Sequence, residues 1–266
     1  MSAPLPAFLL LISIAFTSAS AVPLQPGFYA ETCPEAEFIV KDVMRRNMIR
    51  EPRSAASVMR FQFHDCFVNS GGPDWEVKLG REDSLTASQE DANNIMPSPR
   101  ANASLLMDLF ESYNLSVKDM VALSGSHSIG QARCFSIVFR LYNQSGSGKP
   151  DPTIEARYKE KLNRLCPLGG DENVTGDLDA TPTMFDNRYF KDLVAGRGFL
   201  NSDQTLYTFP ETRKYVALFS QDQRTFFKAF VEGMIKMGDL QSGRPGEIRS
   251  NCRMVNRRPV NALLES

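Results

Sequence analysis

Residues 60–68 read Arg60-Phe61-Gln62-Phe63-His64-Asp65-Cys66-Phe67-Val68 and hold one of only two histidines in the 266-residue chain. Read as a helix, Arg60 and Phe63 lie four and three residues before His64. A guanidinium, an imidazole and an aromatic ring then share one face. A fixed cation beside a histidine suits chemistry in which charge develops while a proton moves. A phenylalanine-rich core helix with structural hydrogen bonds would show the same pattern. The rest of the chain has to separate the two readings.

The other histidine lies in Ala122-Leu123-Ser124-Gly125-Ser126-His127-Ser128-Ile129-Gly130. Glycines on both sides let the backbone approach something flat and large. Taken alone, such a residue is more often a hydrogen-bonded core histidine than a ligand. The contrast between the two histidines changes this: His64 beside an arginine suits proton transfer, and His127 among glycines and apolar residues suits metal or cofactor ligation. A ligating histidine usually hands its other ring proton to a carboxylate. Asp203, in Phe199-Leu200-Asn201-Ser202-Asp203-Gln204, is the acid in a constrained context.

Outward from these stretches the pattern is mainly helical, and strands are hard to find. Helical spacing runs from Cys33-Pro34 through Met48, and Ser54 can cap the helix carrying Arg60 and His64. Trp75 to Arg100 is irregular and reads as loop. Ala103–Tyr113 is amphipathic, and Ser116 with Asp119 resembles a capping box opening a helix over Val117–Leu123. Further helical segments are expected over Gln131–Tyr142, Thr153–Leu165, Phe185–Ala195 (closed by Gly196 or Gly198), Glu211–Phe219 and Asp222–Met237. No repeat or linker divides the chain, so residues 22–266 form one domain.

The composition, 42% hydrophobic and 23% charged with a net charge of -1, supports an ordinary core. It offers no basic run for nucleic acid or an anionic membrane. Residues 1–21 end an apolar run too short to span a bilayer in Ala19-Ser20-Ala21, and read as a removed secretory signal. Four Asn-x-Ser/Thr sequons, at Asn102, Asn114, Asn143 and Asn173, fit secretion. So do five cysteines, Cys33, Cys66, Cys134, Cys166 and Cys252, of which an odd one must lack a partner within the chain.

Phe63-His64-Asp65-Cys66-Phe67-Val68 resembles the distal-histidine signature of the secreted plant haem peroxidases, class III, and Asp119 to His127 resembles their proximal-haem signature. Phe185-Asp186-Asn187-Arg188-Tyr189-Phe190, Ser202-Asp203-Gln204, Cys33-Pro34, Gly72-Pro73-Asp74-Trp75 and Asn251-Cys252-Arg253 are similar to further family segments, in family order. The resemblance implies an all-α haem-peroxidase fold and oxidation of phenolic donors by hydrogen peroxide. It implies peroxide removal under oxidative stress and cell-wall phenolic chemistry. The expected protein is a monomer in the extracellular space, cell wall or vacuole, with no membrane association once the signal is removed. His127 would bind the iron of haem b, with Asp203 accepting its other ring proton. His64 would move the peroxide proton, and Arg60 would stabilise the charge that develops. Pro97 would meet the donor. A proximal calcium would take oxygens from Ser128, Asp179, Thr181, Met184 and Asp186, with Asp177 as the alternative to Asp179. Cys134 and Cys166 would pair.

One departure stands out. Val68-Asn69 runs directly into Ser70-Gly71-Gly72-Pro73, where family members carry a calcium loop and two helices. Part of the distal half is therefore expected to be missing, in the manner of an in-frame deletion. Only Asp65 and the Val68 carbonyl would remain of the distal calcium ligands, against the six to eight oxygens that calcium takes. Cys33, Cys66 and Cys252 would lose their partners, and helices beside the gap would keep uncovered apolar faces. The expected consequence is impaired turnover. The alternative is a non-catalytic secreted product that binds haem without turning over. A thiol hydrolase using His64 and Cys66 fits poorly, because residues two apart on a helix do not face one another.

Overall fold

The computed structural model describes residues 23–51, 72–240 and 244–256. The signal segment, the Ser54 cap and the stretch bearing Arg60, His64, Asp65, Cys66 and Val68 lie outside the described residues. In chain order the elements are α1 (Ala36–Arg50), β1 (Asp83–Ser84), α2 (Gln89–Ile95), α3 (Ala103–Glu111), α4 (Val117–Ser124), β2 (Gln131–Arg133), α5 (Val138–Tyr142), α6 (Ala156–Leu165), β3 (Thr175–Asp177), α7 (Arg188–Val194), α8 (Asn201–Thr208), α9 (Pro210–Gln221), α10 (Gln223–Gly238) and β4 (Gly246–Glu247). A 3-10 turn over Gly125–Ser128 continues α4. The strands form two antiparallel pairs, β1 with β4 and β2 with β3. The fold is mainly α, as expected.

Local chemistry sets the helix starts. Asn102 caps α3 by accepting from the Leu105 N–H at 2.9 Å. Ser116 and Asp119 form the expected box at α4: the Ser116 N–H donates to Asp119 Oδ2 at 2.9 Å, and the Asp119 N–H to Ser116 Oγ at 3.2 Å. Lys236 of α10 adds a donor to the same Oδ2 at 2.7 Å, which ties α4 to α10. Burial alone would raise the Asp119 carboxyl; the hydrogen bonds from Lys236 and Ser116 hold it below the ordinary value.

Two cores flank this scaffold. The larger packs α4, α7, α9 and α10 around Met120, Val121, Phe185, Phe190, Phe219, Phe226 and Phe230. Phe190 and Phe226 meet edge to face with centroids 4.8 Å apart, a geometry that adds about 0.5–1.5 kcal/mol per pair beyond burial. The smaller core holds Ile137, Leu141, Leu162, Leu178, Phe199 and the Cys134–Cys166 disulfide. Cys33 and Cys252 are free and exposed. On α1, Met48 is buried, but Phe38 and Ile49 are each 71% exposed.

Several boundaries differ from the sequence reading, each for a local reason. The supposed loop over Trp75–Arg100 contains β1 and α2; α2 reads Gln-Glu-Asp-Ala-Asn-Asn-Ile, without the apolar period that would announce it. Gln131–Tyr142 is β2, a 3-10 turn and α5 in succession. The Cys134 and Phe135 N–H groups donate to the Val174 and Glu172 carbonyls across the β3 arm, which breaks the helical ladder. Helix α6 starts at Ala156 because Glu155 accepts from the Arg157 and Tyr158 N–H groups. Helix α7 starts at Arg188, whose N–H donates to Asp186 Oδ1 at 2.7 Å. Helix α8 was not anticipated. It is eight residues long with little apolar periodicity, and its start is set by Asp203.

Candidate active site

The α4 helix delivers His127 on the 3-10 turn that follows it. Gly125 permits this close approach: a Cβ there would stand 2.5 Å from the Phe226 ring and 3.0 Å from that of Phe190. The flat object beside this glycine is thus the aromatic core. Gly130, at φ +107°, closes the turn in the left-handed region that other residues avoid. Its N–H donates to the Pro182 carbonyl at 2.9 Å, and its carbonyl accepts from the Leu178 N–H at 3.2 Å.

Asp203 sits buried in the first turn of α8. Its Oδ2 accepts from the Leu200 N–H at 3.0 Å, satisfying a helix-start donor at the positive end of the helix dipole. Its Oδ1 lies 2.7 Å from His127 Nδ1. The two residues that the sequence singled out, 76 positions apart, are therefore hydrogen-bonded. The His127 side chain is 37% exposed while that of Asp203 is 2% exposed. The pair thus anchors one ring nitrogen in the interior and leaves part of the ring accessible.

Sequence reasoning missed three supporting residues. Tyr189 on α7 donates its hydroxyl to the same Asp203 Oδ1 at 3.0 Å, and its ring meets His127 edge to face. Burial and the adjacent carboxylate hold its phenol well above the usual range, so it remains a donor. Arg140, fully buried on α5, pairs with Asp151 at 2.7 Å and donates to the Gly198 and Phe199 carbonyls, fixing the loop that enters α8. Burial would raise Asp151, but hydrogen bonds from Thr153 and the Arg140 charge hold it below its ordinary value. An arginine between Ile137 and Leu141 on an apolar face was the available signal.

Ser128, next to His127, faces the other way into an oxygen cluster. Its Oγ lies 3.3 Å from Asp179 Oδ2, 3.2 Å from the Met184 carbonyl and 2.9 Å from the Asp186 carbonyl. Thr181 Oγ1 lies 3.2 Å from both Asp186 carboxylate oxygens and 3.4 Å from Asp179 Oδ2. All five residues expected to share a cation are brought together. Asp177 is instead drawn aside, opposite Gln131 in the β2–β3 pair, and accepts from its Nε2 at 2.7 Å. Burial, reinforced by the Asp186 and Asp192 charges, pushes Asp179 up to about 7. A buried carboxyl crowded by acids and hydroxyls fits a hard cation. Only two of the set are acids, and among the described residues no group of three or more His, Cys, Asp or Glu is placed to hold a metal ion. A cleft of about 290 Å³ reaches Asp179 between Asp177, Asp192 and Arg197.

Pro97 is exposed, on a loop tied to α8. The Pro99 carbonyl accepts from the Ser202 N–H at 3.1 Å, and the Arg100 and Ala101 carbonyls accept from Asn201 Nδ2. Arg60 and His64 lie outside the described residues.

The peroxidase family matches residues 67–222, more than half of the chain, a span that includes His127 and Asp203. Peroxidase 17 of Arabidopsis thaliana is 58% identical over 326 aligned residues, covering 98% of this chain and 99% of the relative. Peroxidase 15 of the same plant is 38% identical over 302 residues, with 88% and 89% covered. Peroxidase N of Armoracia rusticana is 36% identical over 305 residues, with 90% and 93% covered. An alignment of 326 positions against 266 residues leaves about 60 positions of Peroxidase 17 without a counterpart here, so the chain is shorter than its relatives. The family is one of oxidoreductases that use peroxide to oxidise a second substrate, and haem is its cofactor. The protein is therefore a member of the class III plant haem peroxidases.

Proposed function

We propose that the protein is a secreted, single-domain, monomeric haem peroxidase acting on phenolic donors, with turnover weakened by loss of part of its distal half. The observation that carries this reading is the 2.7 Å hydrogen bond from His127 Nδ1 to Asp203 Oδ1, on a side chain that is 37% exposed. His127 would hold haem b through its second nitrogen, and Asp203 keeps Nδ1 as the donor and the ring in one orientation. When bound, the haem supplies the electron transfer between peroxide and donor. His64 would take a proton from hydrogen peroxide and return it to the departing oxygen, where Arg60 would support the negative charge that develops. Pro97 presents its backbone to the phenolic donor. Oxygens of Ser128, Asp179, Thr181, Met184 and Asp186 would hold a calcium ion, which would tie the loop before α7 to the turn carrying His127.

The distal side is weak for a stated reason. Asp65 and the Val68 carbonyl are too few oxygens to hold a second calcium. Small displacements of a catalytic group cost large factors in rate. A second reading, haem binding without turnover, is favoured by the size of the missing block. Haem titration of His127→Ala and His64→Ala tests the assignment. The first variant should lose tight binding while the second keeps it, and equal loss in both would remove His127 from its role.

A further inference from the structure

We infer that Tyr189 is a positioning residue for the peroxidase reaction, its hydroxyl sharing Asp203 Oδ1 with His127 Nδ1 and so limiting how strongly Asp203 draws the imidazole proton. The effect on iron rests on the reading of His127 as the axial ligand; the hydrogen-bond coupling does not.

The geometry carries the argument. Asp203 Oδ1 accepts from His127 Nδ1 at 2.7 Å and from the Tyr189 hydroxyl at 3.0 Å, and Oδ2 accepts from the Leu200 N–H at 3.0 Å. Both lone pairs of Oδ1 are therefore engaged, and the carboxylate is held by three donors from α7, the α8 start and the 3-10 turn. Each additional donor disperses negative charge and weakens the oxygen as an acceptor for the others. Tyr189 is fully buried, so its hydroxyl has no bulk water to exchange for Asp203. Tyr189 thus acts as a brake: with it, Nδ1 keeps more of its proton, and His127 donates less electron density through its other nitrogen.

The closing experiment begins with the haem-free protein, where only two histidines have to be assigned. In Tyr189→Phe the His127 Nδ1 proton resonance should move downfield, as the bond to Asp203 strengthens. In the haem-loaded protein the same variant should raise the iron–histidine stretching frequency and make the ferric/ferrous potential more negative. On an Asp203→Asn background the Tyr189→Phe shifts should shrink to within error, because the coupling runs through that carboxylate. Shifts that are absent, reversed or undiminished on that background would overturn the inference. Should Tyr189→Phe fail to fold, 3-fluorotyrosine at position 189 keeps the shape and donates more strongly. All three signals should then move the opposite way, and no movement counts against the inference. If His127→Ala retains the iron–histidine band, the ligand assignment fails. If that band is lost there yet unmoved in Tyr189→Phe, only the role of Tyr189 fails.

Discussion

Burial and the carboxylates of Asp186 and Asp192 push Asp179 up to about 7, from an ordinary value of 3.8. Unfolded chains release this proton near the ordinary value, and the cation-free folded chain holds it to about pH 7. Across that window the folded state binds the extra proton, so its stability falls as pH rises from about 4 to 7. A bound cation reverses the preference, because it requires the ionised carboxylate and displaces the proton. The melting temperature of chelator-treated protein should therefore be lower at pH 8 than at pH 5. Added calcium should raise it more at pH 8. An equal calcium effect at both pH values would mean that Asp179 is not a ligand. Ser128 makes this residue-scale event matter, since it touches Asp179 and adjoins His127.

The junction of α4 with its 3-10 turn is the element on which the site depends. Gly125 lies against rings on α7 and α10 that are themselves fully buried, so neither can yield to a new methyl group. Gly125→Ala should cost about 1–3 kcal/mol through overpacking and move the turn bearing His127. Thermal unfolding and haem titration together read this out: a lower melting temperature with weaker haem binding is expected. An unchanged melting temperature would show that the core repacks. The element α8 works differently. Its first turn is held by Asp203 from within, and Asn201 and Ser202 tie it to the Pro97–Ala101 loop. The carboxylate that orients His127 and the loop bearing Pro97 are therefore both anchored on the first turn of α8.

Over the chain as a whole, the described residues join His127, Asp203 and Tyr189 by hydrogen bonds between three separate segments. The Cys134–Cys166 bridge spans 32 residues, worth roughly 3–4 kcal/mol by the chain-entropy model. Cys33 and Cys252 have no such bridge, and α1 shows Phe38, Ile39 and Ile49 to solvent. Exposed apolar side chains grouped on one element favour association. A version of the protein with the missing block restored should therefore bind haem more tightly, turn over peroxide faster and remain monomeric at higher concentration. Steady-state oxidation of a phenol and light scattering on both proteins give the comparison. Equal turnover in the two would show that the present chain holds its distal groups without the block. The asparagines of all four sequons are exposed, so glycans can be accommodated without disturbing either core.

Much of this was legible in the residues themselves. The mainly helical fold follows from apolar spacing, and the α4 start from Ser116 and Asp119, because a capping box is a local hydrogen-bond exchange over four residues. His127 and Asp203 could be chosen because histidine is rare here and each has a constrained neighbourhood. The chain is about 60 positions shorter than Peroxidase 17, and the sequence reading places the expected gap where Val68-Asn69 meets Ser70-Gly71. Other features are long-range and needed the folded chain. Asp179 rather than Asp177 joins the oxygen cluster because β2–β3 register places Asp177 opposite Gln131. Helix α8 exists because Asp203 caps it while bonding a residue 76 positions away. Tyr189 meets that same carboxylate only when α7 packs beside α8. Sequence periodicity reports which face of an element is apolar. It carries no information on which oxygen of one side chain will accept from two others, and tertiary packing decides that.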